Sequence, residues 1–186
     1  MPSEEGGRRN RCHLAWVAGL LGLAVAVSFV SLGAQERDEA LLDGLRADLI
    51  PAKGAATAYG IALSLESLPQ FIEWWSELVP LVENDQRYRA ALSALVAPCC
   101  DDNSTFRCCC ETDGQGCNII RSGKGLAAHL IHDLDFETDQ VQASVREWFR
   151  FARPDYYIAA KLEGRGVDPI PYGLTIEGSC YRGLCD

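Results

Sequence analysis

Apolar side chains recur at intervals of three and four residues along most of this 186-residue chain. This spacing places them on one face of an α-helix and leaves polar residues on the opposite face. Prolines and capping residues mark where the helices begin and end. The pattern predicts helices over residues 35–50, 68–79, 85–96, 118–134, 139–152 and 154–164.

The ends of these helices carry recognisable signals. Asn84 or Asp85 is expected to cap the third helix, and Thr138 is expected to cap the fifth. Pro80 is expected to terminate or interrupt the second helix, because a proline inside a helix removes a backbone hydrogen bond. The helices are therefore short and closely spaced, as in a small helical domain.

Outside the helices, strand-like alternation of apolar and polar residues is convincing only around residues 61–65. The tail over 167–186 contains two prolines and three glycines and is expected to be irregular. Gly123 and Gly125 are expected to weaken the first turns of the fourth helix. The fold predicted is mainly α, a small helical domain with a cysteine-rich loop. The side chains expected to face the core are Leu41, Leu42, Leu45, Leu49, Phe71, Ile72, Trp75, Leu78, Val79, Tyr88, Ala91, Leu92, Leu95, Leu126, Leu130, Ile131, Leu134, Val141, Val145, Trp148 and Phe149.

An uncharged run of 19 residues, from Leu14 to Leu32, follows three arginines near the N-terminus. Positive residues stay on the cytoplasmic side, so the chain after this run is expected to cross to the outside. Ser31 and Gly33 fit the small-residue positions of a signal-peptidase site, which would be cut near Gly33 or Ala34. The alternative is a retained membrane anchor, which the length of the run favours because about 17–25 residues span a bilayer.

The composition divides the chain into three parts. Residues 1–34 are the signal peptide or N-terminal anchor, residues 35–56 a charged stalk or linker, and residues 57–186 the cysteine-rich helical domain. Pro51 and Gly54 indicate a hinge in the stalk. We therefore expect an extracytoplasmic protein, in the periplasm or at the cell surface, that is secreted or anchored by its N-terminal segment.

The formal net charge of the chain is −9. Without residues 1–34, 14 basic and 24 acidic side chains remain, so the exported part is more acidic still. Such a surface repels phosphate backbones, and no basic stripe offsets the repulsion, so nucleic-acid binding is not expected. An acidic balance suits a well-solvated exported domain or one that receives cations.

Six of the nine cysteines fall within the 19 residues from 99 to 117, two lie in the tail, and one precedes the apolar run. One interpretation is a disulfide framework that ties the loop to itself and to the tail. Exported proteins meet oxidants, and eight cysteines can all pair. The loop cysteines are Cys99, Cys100, Cys108, Cys109, Cys110 and Cys117, and the tail cysteines are Cys180 and Cys185.

The other interpretation is a soft-metal site, because thiolates prefer Cu(I), Zn(II) and the iron of iron–sulfur clusters. Copper is favoured, since Cu(I) accepts two or three sulfur ligands and a run of three cysteines can bridge two ions. Zinc is the second candidate, because the C-x2-C pair common in structural zinc sites is absent from the sequence. In a mixed case, Cys180 and Cys185 form a disulfide while the loop cysteines bind the metal.

His129 and His132 follow the cysteines on the predicted fourth helix. Their spacing of three residues puts both near one face, where they can complete the metal site or shuttle an ion. The alternative is that they are ordinary surface or boundary residues. Trp74 and Trp75 are expected to be core or interface aromatics, because large rings bury much apolar area.

The loop resembles a known family. The run 98–100 (Pro-Cys-Cys), the triplet 108–110 (Cys-Cys-Cys) and Cys117 at the start of a helix are similar to the exported bacterial proteins named for their PCYCGC motif. In that family a cysteine-rich loop also precedes helices like the one predicted over 139–151. The resemblance covers about residues 95–152, with Pro-Cys-Cys-Asp-Asp in place of the literal motif. It implies a metal-binding, copper-related role.

These patterns predict an exported protein that stores, chaperones or senses a soft metal and catalyses no reaction. Its partners are then the metal ion and, if the N-terminal segment stays uncleaved, the membrane. The competing hypothesis is a disulfide-stapled helical interaction module without metal. A thiol oxidoreductase is a third hypothesis, although the sequence has no C-x-x-C motif.

Overall fold

The computed structural model describes residues 37–96, 98 and 117–174 of the chain. Within these residues helices predominate and no β-strand occurs, which confirms the mainly α fold. The predicted signal or anchor segment, most of the cysteine-rich loop and the end of the tail lie outside the described residues. The helices are α1 (37–49), α2 (Leu68–Val82), α3 (Gln86–Ser93), α4 (Asn118–His132), α5 (Thr138–Ala152) and α6 (Pro154–Glu163), with 3-10 turns at Leu65–Ser67 and Ile170–Tyr172.

The chain divides into two compact units, with the boundary between Gly44 and Leu45. The described part of the first unit, residues 37–44, is helical. The second unit includes residues 45–56, which the sequence assigns to the stalk, and Leu45 at its start is 2% exposed. Among the helices of the described residues, none has both the length and the apolar composition needed to cross a bilayer.

In the strand-like segment around residues 61–65, Leu63 forms backbone hydrogen bonds with residues 54–55. The Leu63 carbonyl accepts a hydrogen bond from the Gly54 amide at 2.7 Å, and the Leu63 amide donates to the Ala55 carbonyl at 3.0 Å. Buried Leu63 thereby fixes residues 54–55 against the compact unit. The alternation in the sequence marks a short extended segment and not a strand.

The core of the second unit lies among α2, α3, α4 and α5. Phe71 on α2 meets Trp148 on α5 edge to face, with ring centroids 4.9 Å apart. Both side chains are almost completely buried, as are Leu126 and Leu130 on α4. The face predicted for α5 is confirmed in full, since Val141, Val145, Trp148 and Phe149 are all 0% exposed. Leu134, predicted to face the core, is 39% exposed just past the end of α4.

The two glycines of α4 are packing positions. A Cβ atom on Gly125 would lie 2.6 Å from the Trp75 amide nitrogen of α2 and closer still to the Phe71 carbonyl oxygen. A Cβ atom on Gly123 would overlap the ring of Phe149 on α5. The helical cost of glycine is thus offset by close approach of α4 to its neighbours, and both residues are buried.

The predicted ends of two helices differ most from the structure. α2 continues through Pro80 to Val82, because Val82 is buried and Leu78 and Val79 pack against the core. Pro80 is exposed, so water can reach the Ser76 carbonyl that loses its intrahelical donor. The prediction that Pro80 terminates or interrupts the helix was therefore wrong. α3 ends at Ser93 and not at residue 96.

The caps at two helix starts are defined by side-chain hydrogen bonds. Asp85 caps α3 as predicted, with its Oδ1 accepting from the Arg87 amide at 2.7 Å. α5 is capped by Glu137 and not by Thr138, because Glu137 and Gln140 form a reciprocal capping box. The sequence pattern placed this cap one residue too late, a common error at helix ends.

Candidate functional site

The two described ends of the cysteine-rich loop are seated in the helical unit. Pro98, directly before Cys99, has a fully buried side chain. Cys117 occupies the N-cap of α4 in an extended conformation, half-buried against the core, and its carbonyl accepts from the Arg121 amide at 2.9 Å. The helical unit therefore holds both anchor points of the loop.

Most of the predicted metal ligands lie outside the described residues. Of the six loop cysteines, Cys117 is the one that the structure places, and it begins the helix that the sequence predicts there. The cysteines of the loop and the tail that lie outside the described residues are Cys99, Cys100, Cys108, Cys109, Cys110, Cys180 and Cys185.

The two predicted histidine ligands lie at the opposite end of α4, where Asp133 joins them. Nδ1 of His129 lies 2.6 Å from Asp133 Oδ2, and Nδ1 of His132 lies 2.6 Å from Asp133 Oδ1. An ionised carboxylate only accepts hydrogen bonds, so each Nδ1 must carry its proton. In the neutral form of each ring the lone pair then lies on Nε2, as in histidines whose other nitrogen binds a metal.

Trp74 of α2 covers the ring of His129. The two rings are stacked with centroids 3.8 Å apart and planes inclined by 11°. Trp74 in turn stacks on Phe71 at 5.3 Å, so the imidazole is connected to the aromatic core. The side chain of His129 is 15% exposed, whereas that of His132 is 43% exposed. His129 is therefore a fixed boundary residue and His132 a surface residue.

The structure does not bring the predicted ligands Cys117, His129 and His132 together. A helix rises about 1.5 Å per residue, so Cys117 lies about 18 Å from His129 and about 22 Å from His132 along α4. Metal–ligand bonds of about 2.0–2.3 Å cannot span that separation. Across the residues that the structure describes, no three His, Cys, Asp or Glu side chains are grouped to hold a metal ion.

Sequence reasoning missed Asp133 and the position of Trp74. The spacing of four residues between His129 and Asp133 is a helical pair that the sequence could have revealed. The Trp74–His129 stack could not be foreseen, because it requires knowing that α2 packs against α4. Trp75 was expected to be a core or interface aromatic, and it is half-buried under the Arg121 guanidinium, which lies 4.8 Å from the ring centroid.

The histidine–aspartate cluster predicts a pH dependence of stability. Hydrogen bonds from His132 and His129 hold the pKa of Asp133 below its ordinary value. A carboxylate with a lowered folded-state pKa stabilises the protein above its unfolded-state pKa, and this contribution is lost as pH falls through the folded-state pKa. Asp133→Asn is expected to lower the free energy of unfolding at about pH 5 by less than about 1 kcal/mol, because Asp133 is substantially exposed.

Urea unfolding at about pH 5 and about pH 2 tests this expectation, since the ordinary aspartate pKa lies between these values. The difference between the native protein and Asp133→Asn should vanish at the lower pH. Asp48→Asn is the control at an exposed aspartate near the end of α1, where a carboxylate opposes the helix dipole and its loss should not destabilise. A difference that persists unchanged at about pH 2 contradicts the role given to the Asp133 carboxylate.

Comparison of the chain with protein-family models, with curated proteins and with solved structures finds no match.

Proposed function

We propose that this protein is an exported soft-metal-binding protein that holds Cu(I) through the thiolates of its cysteine-rich loop. Storage, chaperoning or sensing of the metal fits such a site, and no catalytic step is proposed. The observation that carries the proposal is the density of sulfur, with six cysteines in 19 residues. Thiolates are preferred ligands of soft metal ions, and the run of three cysteines suits Cu(I), which accepts two or three sulfur ligands.

The independent core of the helical unit supports metal binding over disulfide stapling. Small domains depend on disulfides when they cannot bury enough apolar surface. Here Phe71, Trp148 and Phe149 are almost fully buried in a continuous core. Cys117 packs at the edge of this core, and no other core side chain in the described residues contains sulfur. The described fold thus has its own source of stability, which leaves the loop cysteines available for another role.

The position of Cys117 also supports the proposal. It stands at the N-cap of α4, where the amides of the first turn carry a partial positive charge. A thiolate or a metal–thiolate group with net negative charge is favoured at such a position. Because α4 is fixed in the core, Cys117 supplies one ligand from a rigid element while the other thiolates come from the loop.

The proposed ligand set differs from the one predicted from sequence in its histidines. An ion bound by Cys117 cannot also bind His129 or His132, which lie at the far end of α4. We therefore assign the Cu(I) site to thiolates alone.

The proposal of export is based on the apolar run over 14–32 and the three arginines before it. We propose that the helical unit acts outside the cytoplasm, in the periplasm or at the cell surface, and is either released or held by this segment. The partner proposed for the loop is the metal ion, and for an uncleaved N-terminal segment it is the membrane.

The test is metal and thiol analysis of the full-length chain purified without oxygen, in mild detergent if it remains membrane-bound. Titrated with Cu(I) against a chromophoric chelator, the native protein should bind copper tightly with its loop thiols reduced. Replacing Cys108, Cys109 and Cys110 together by serine should remove at least one bound copper ion and weaken binding at least about tenfold, because each lost thiolate removes a direct ligand.

Two matched variants serve as controls. Cys180→Ser with Cys185→Ser removes the two tail cysteines, which can pair in one disulfide. This double variant should leave copper binding intact. His129→Ala with His132→Ala should also leave the thiolate site intact, since these residues are remote from Cys117. Protein that is isolated with all eight cysteines beyond the apolar run in disulfides, and that binds no copper, would establish the stapled interaction module instead. A single easily reduced disulfide that turns over with a thiol substrate would indicate an oxidoreductase.

A further inference from the structure

An open cleft of about 400 Å³ lies between α5 and the segment that follows α1. Pro51, Ala58 and Ala143 supply small apolar walls, and the polar side chains on its lining include Arg146 and Arg150. This volume lies within the range of small-molecule sites, about 300–1,000 Å³. The cleft belongs entirely to the compact unit that begins at Leu45 and involves none of the loop cysteines.

The two arginines of the cleft carry like charges on neighbouring turns. Arg146 and Arg150 are four residues apart on α5, a spacing at which like charges repel. Among the described residues, no aspartate or glutamate lies within ion-pair distance of either guanidinium. Glu147, three residues before Arg150 on the same helix, offsets part of this repulsion, and an anion in the cleft would offset more of it.

A buried donor of Arg150 also lacks a partner. Its Nε is inaccessible to solvent and forms no hydrogen bond with the described part of the protein. Buried polar atoms are normally satisfied, so this donor is an exception in the described part of the protein. Guanidinium groups bind planar oxyanions through two parallel hydrogen bonds.

Tyr157 on α6 lies within electrostatic reach of both arginines. Burial, with a smaller contribution from Tyr156, raises the pKa of Tyr157 to about 12, while Arg150 and then Arg146 oppose the rise. Both guanidinium groups are thus close enough to act on the same phenol of α6.

The charge of the lining restricts the anion. Glu147 also lines the cleft, so two positive side chains face one negative side chain and the local excess is a single positive charge. A monoanion balances that excess, whereas a phosphate dianion would be opposed by Glu147 and by the acidic chain, whose net charge is −9. The small apolar walls suit a ligand with a short hydrocarbon body. A ligand with further polar groups would find few hydrogen-bond donors on these walls.

From this arrangement we propose that the cleft on α5 binds a small monocarboxylate, with its carboxylate on Arg150 and Arg146 and its apolar body against Pro51, Ala58 and Ala143. The buried hydroxyl-bearing residue Ser144, which is 5% exposed, also lines the cleft. The site is separate from the proposed copper site and does not depend on it.

Equilibrium dialysis of the full-length protein with radiolabelled butyrate, at constant ionic strength, tests the proposal. Saturable binding of one butyrate per chain is expected. Unlabelled butyrate should compete, whereas butyramide, which has the same shape without the charge, should not. Arg150→Gln should weaken binding at least about tenfold, because it removes a charge-assisted hydrogen bond, and Arg146→Gln should weaken it less.

Arg165→Gln is the matched control, since Arg165 is an exposed arginine outside the cleft lining and its loss should leave butyrate binding unchanged. Circular dichroism of each variant verifies that the helices are retained. The comparison of butyrate with butyramide as competitors tests the role of the carboxylate charge without any variant. Absence of saturable butyrate binding overturns the proposal. Competition by phosphate that is stronger than competition by butyrate also overturns it, as does an equal loss of binding in Arg165→Gln.

Discussion

Replacing Gly125 by alanine is expected to destabilise the protein by about 3 kcal/mol, or to prevent folding of the helical unit. Inserting atoms into a packed contact usually costs about 1–3 kcal/mol and occasionally more. The cost should be high here because the new Cβ would meet the backbone of α2 at Phe71 and Trp75, and backbone cannot rotate aside as a side chain can. The helix-propensity gain of alanine over glycine, about 1 kcal/mol, is too small to compensate.

Urea unfolding followed by far-UV circular dichroism measures this loss. Gly44→Ala is the matched control, because Gly44 lies in α1, is exposed, and has no atom within 4 Å of the position that a Cβ would occupy. That substitution should be neutral or stabilise by up to about 1 kcal/mol. If Gly125→Ala is as stable as Gly44→Ala, then α2 and α4 are not in backbone contact at this position.

Replacing Trp148 by alanine is expected to cost about 3–5 kcal/mol, because the side chain is completely buried and truncation leaves a large cavity. Part of the loss comes from a hydrogen-bond chain. The Trp148 Nε1–H donates to Ser122 Oγ at 2.8 Å, and the Ser122 hydroxyl donates to the Ile119 carbonyl at 2.8 Å. This chain satisfies the indole inside the core and joins α5 to α4.

A double-mutant cycle separates the hydrogen bond from the packing. Ser122→Ala alone should cost about 1–3 kcal/mol, because it leaves the buried indole N–H without an acceptor. In a Trp148→Phe background the same serine substitution should cost less, since no indole donor remains. Equal costs of Ser122→Ala in the two backgrounds, measured by urea unfolding, would show that the Trp148–Ser122 bond contributes nothing to stability.

The helices were predictable because their apolar periodicity reflects burial directly. Val141, Val145, Trp148 and Phe149 recur at helical spacing, and all four are fully buried. The persistence of α2 beyond Pro80 was not predictable from local rules, because it depends on the burial of Val82 against other helices. Local sequence sets helix propensity, whereas tertiary packing decides where a marginal helix end lies.

The packing role of Gly125 was also beyond local reasoning. In sequence, a glycine inside a helix indicates a weakened turn. Its actual role depends on which backbone crosses α4 at that point, and only the tertiary arrangement of α2 supplies that information. Ser122 presents the same problem, because its partner Trp148 lies 26 residues away in the chain.

The sequence shows the residue types of the candidate site and part of their arrangement. The cysteine density and the histidine pair are visible in the sequence, and a helix over 118–134 already implies that Cys117 and His132 lie far apart. The structure adds the Asp133 carboxylate between the two imidazoles and the Trp74 ring over His129. The arginine cleft gave no sequence signal, since its apolar wall includes residues distant from α5 along the chain.

The length of α4 has a consequence for how this protein can be altered. Substitutions more than about 7–10 Å apart with no shared partner usually have additive free energies. The distance from Cys117 to the two histidines along α4 is about twice that limit, and α4 packs along α2. Each end of α4 can therefore be varied, titrated or redesigned as an independent module, with no correction for what has been done at the other.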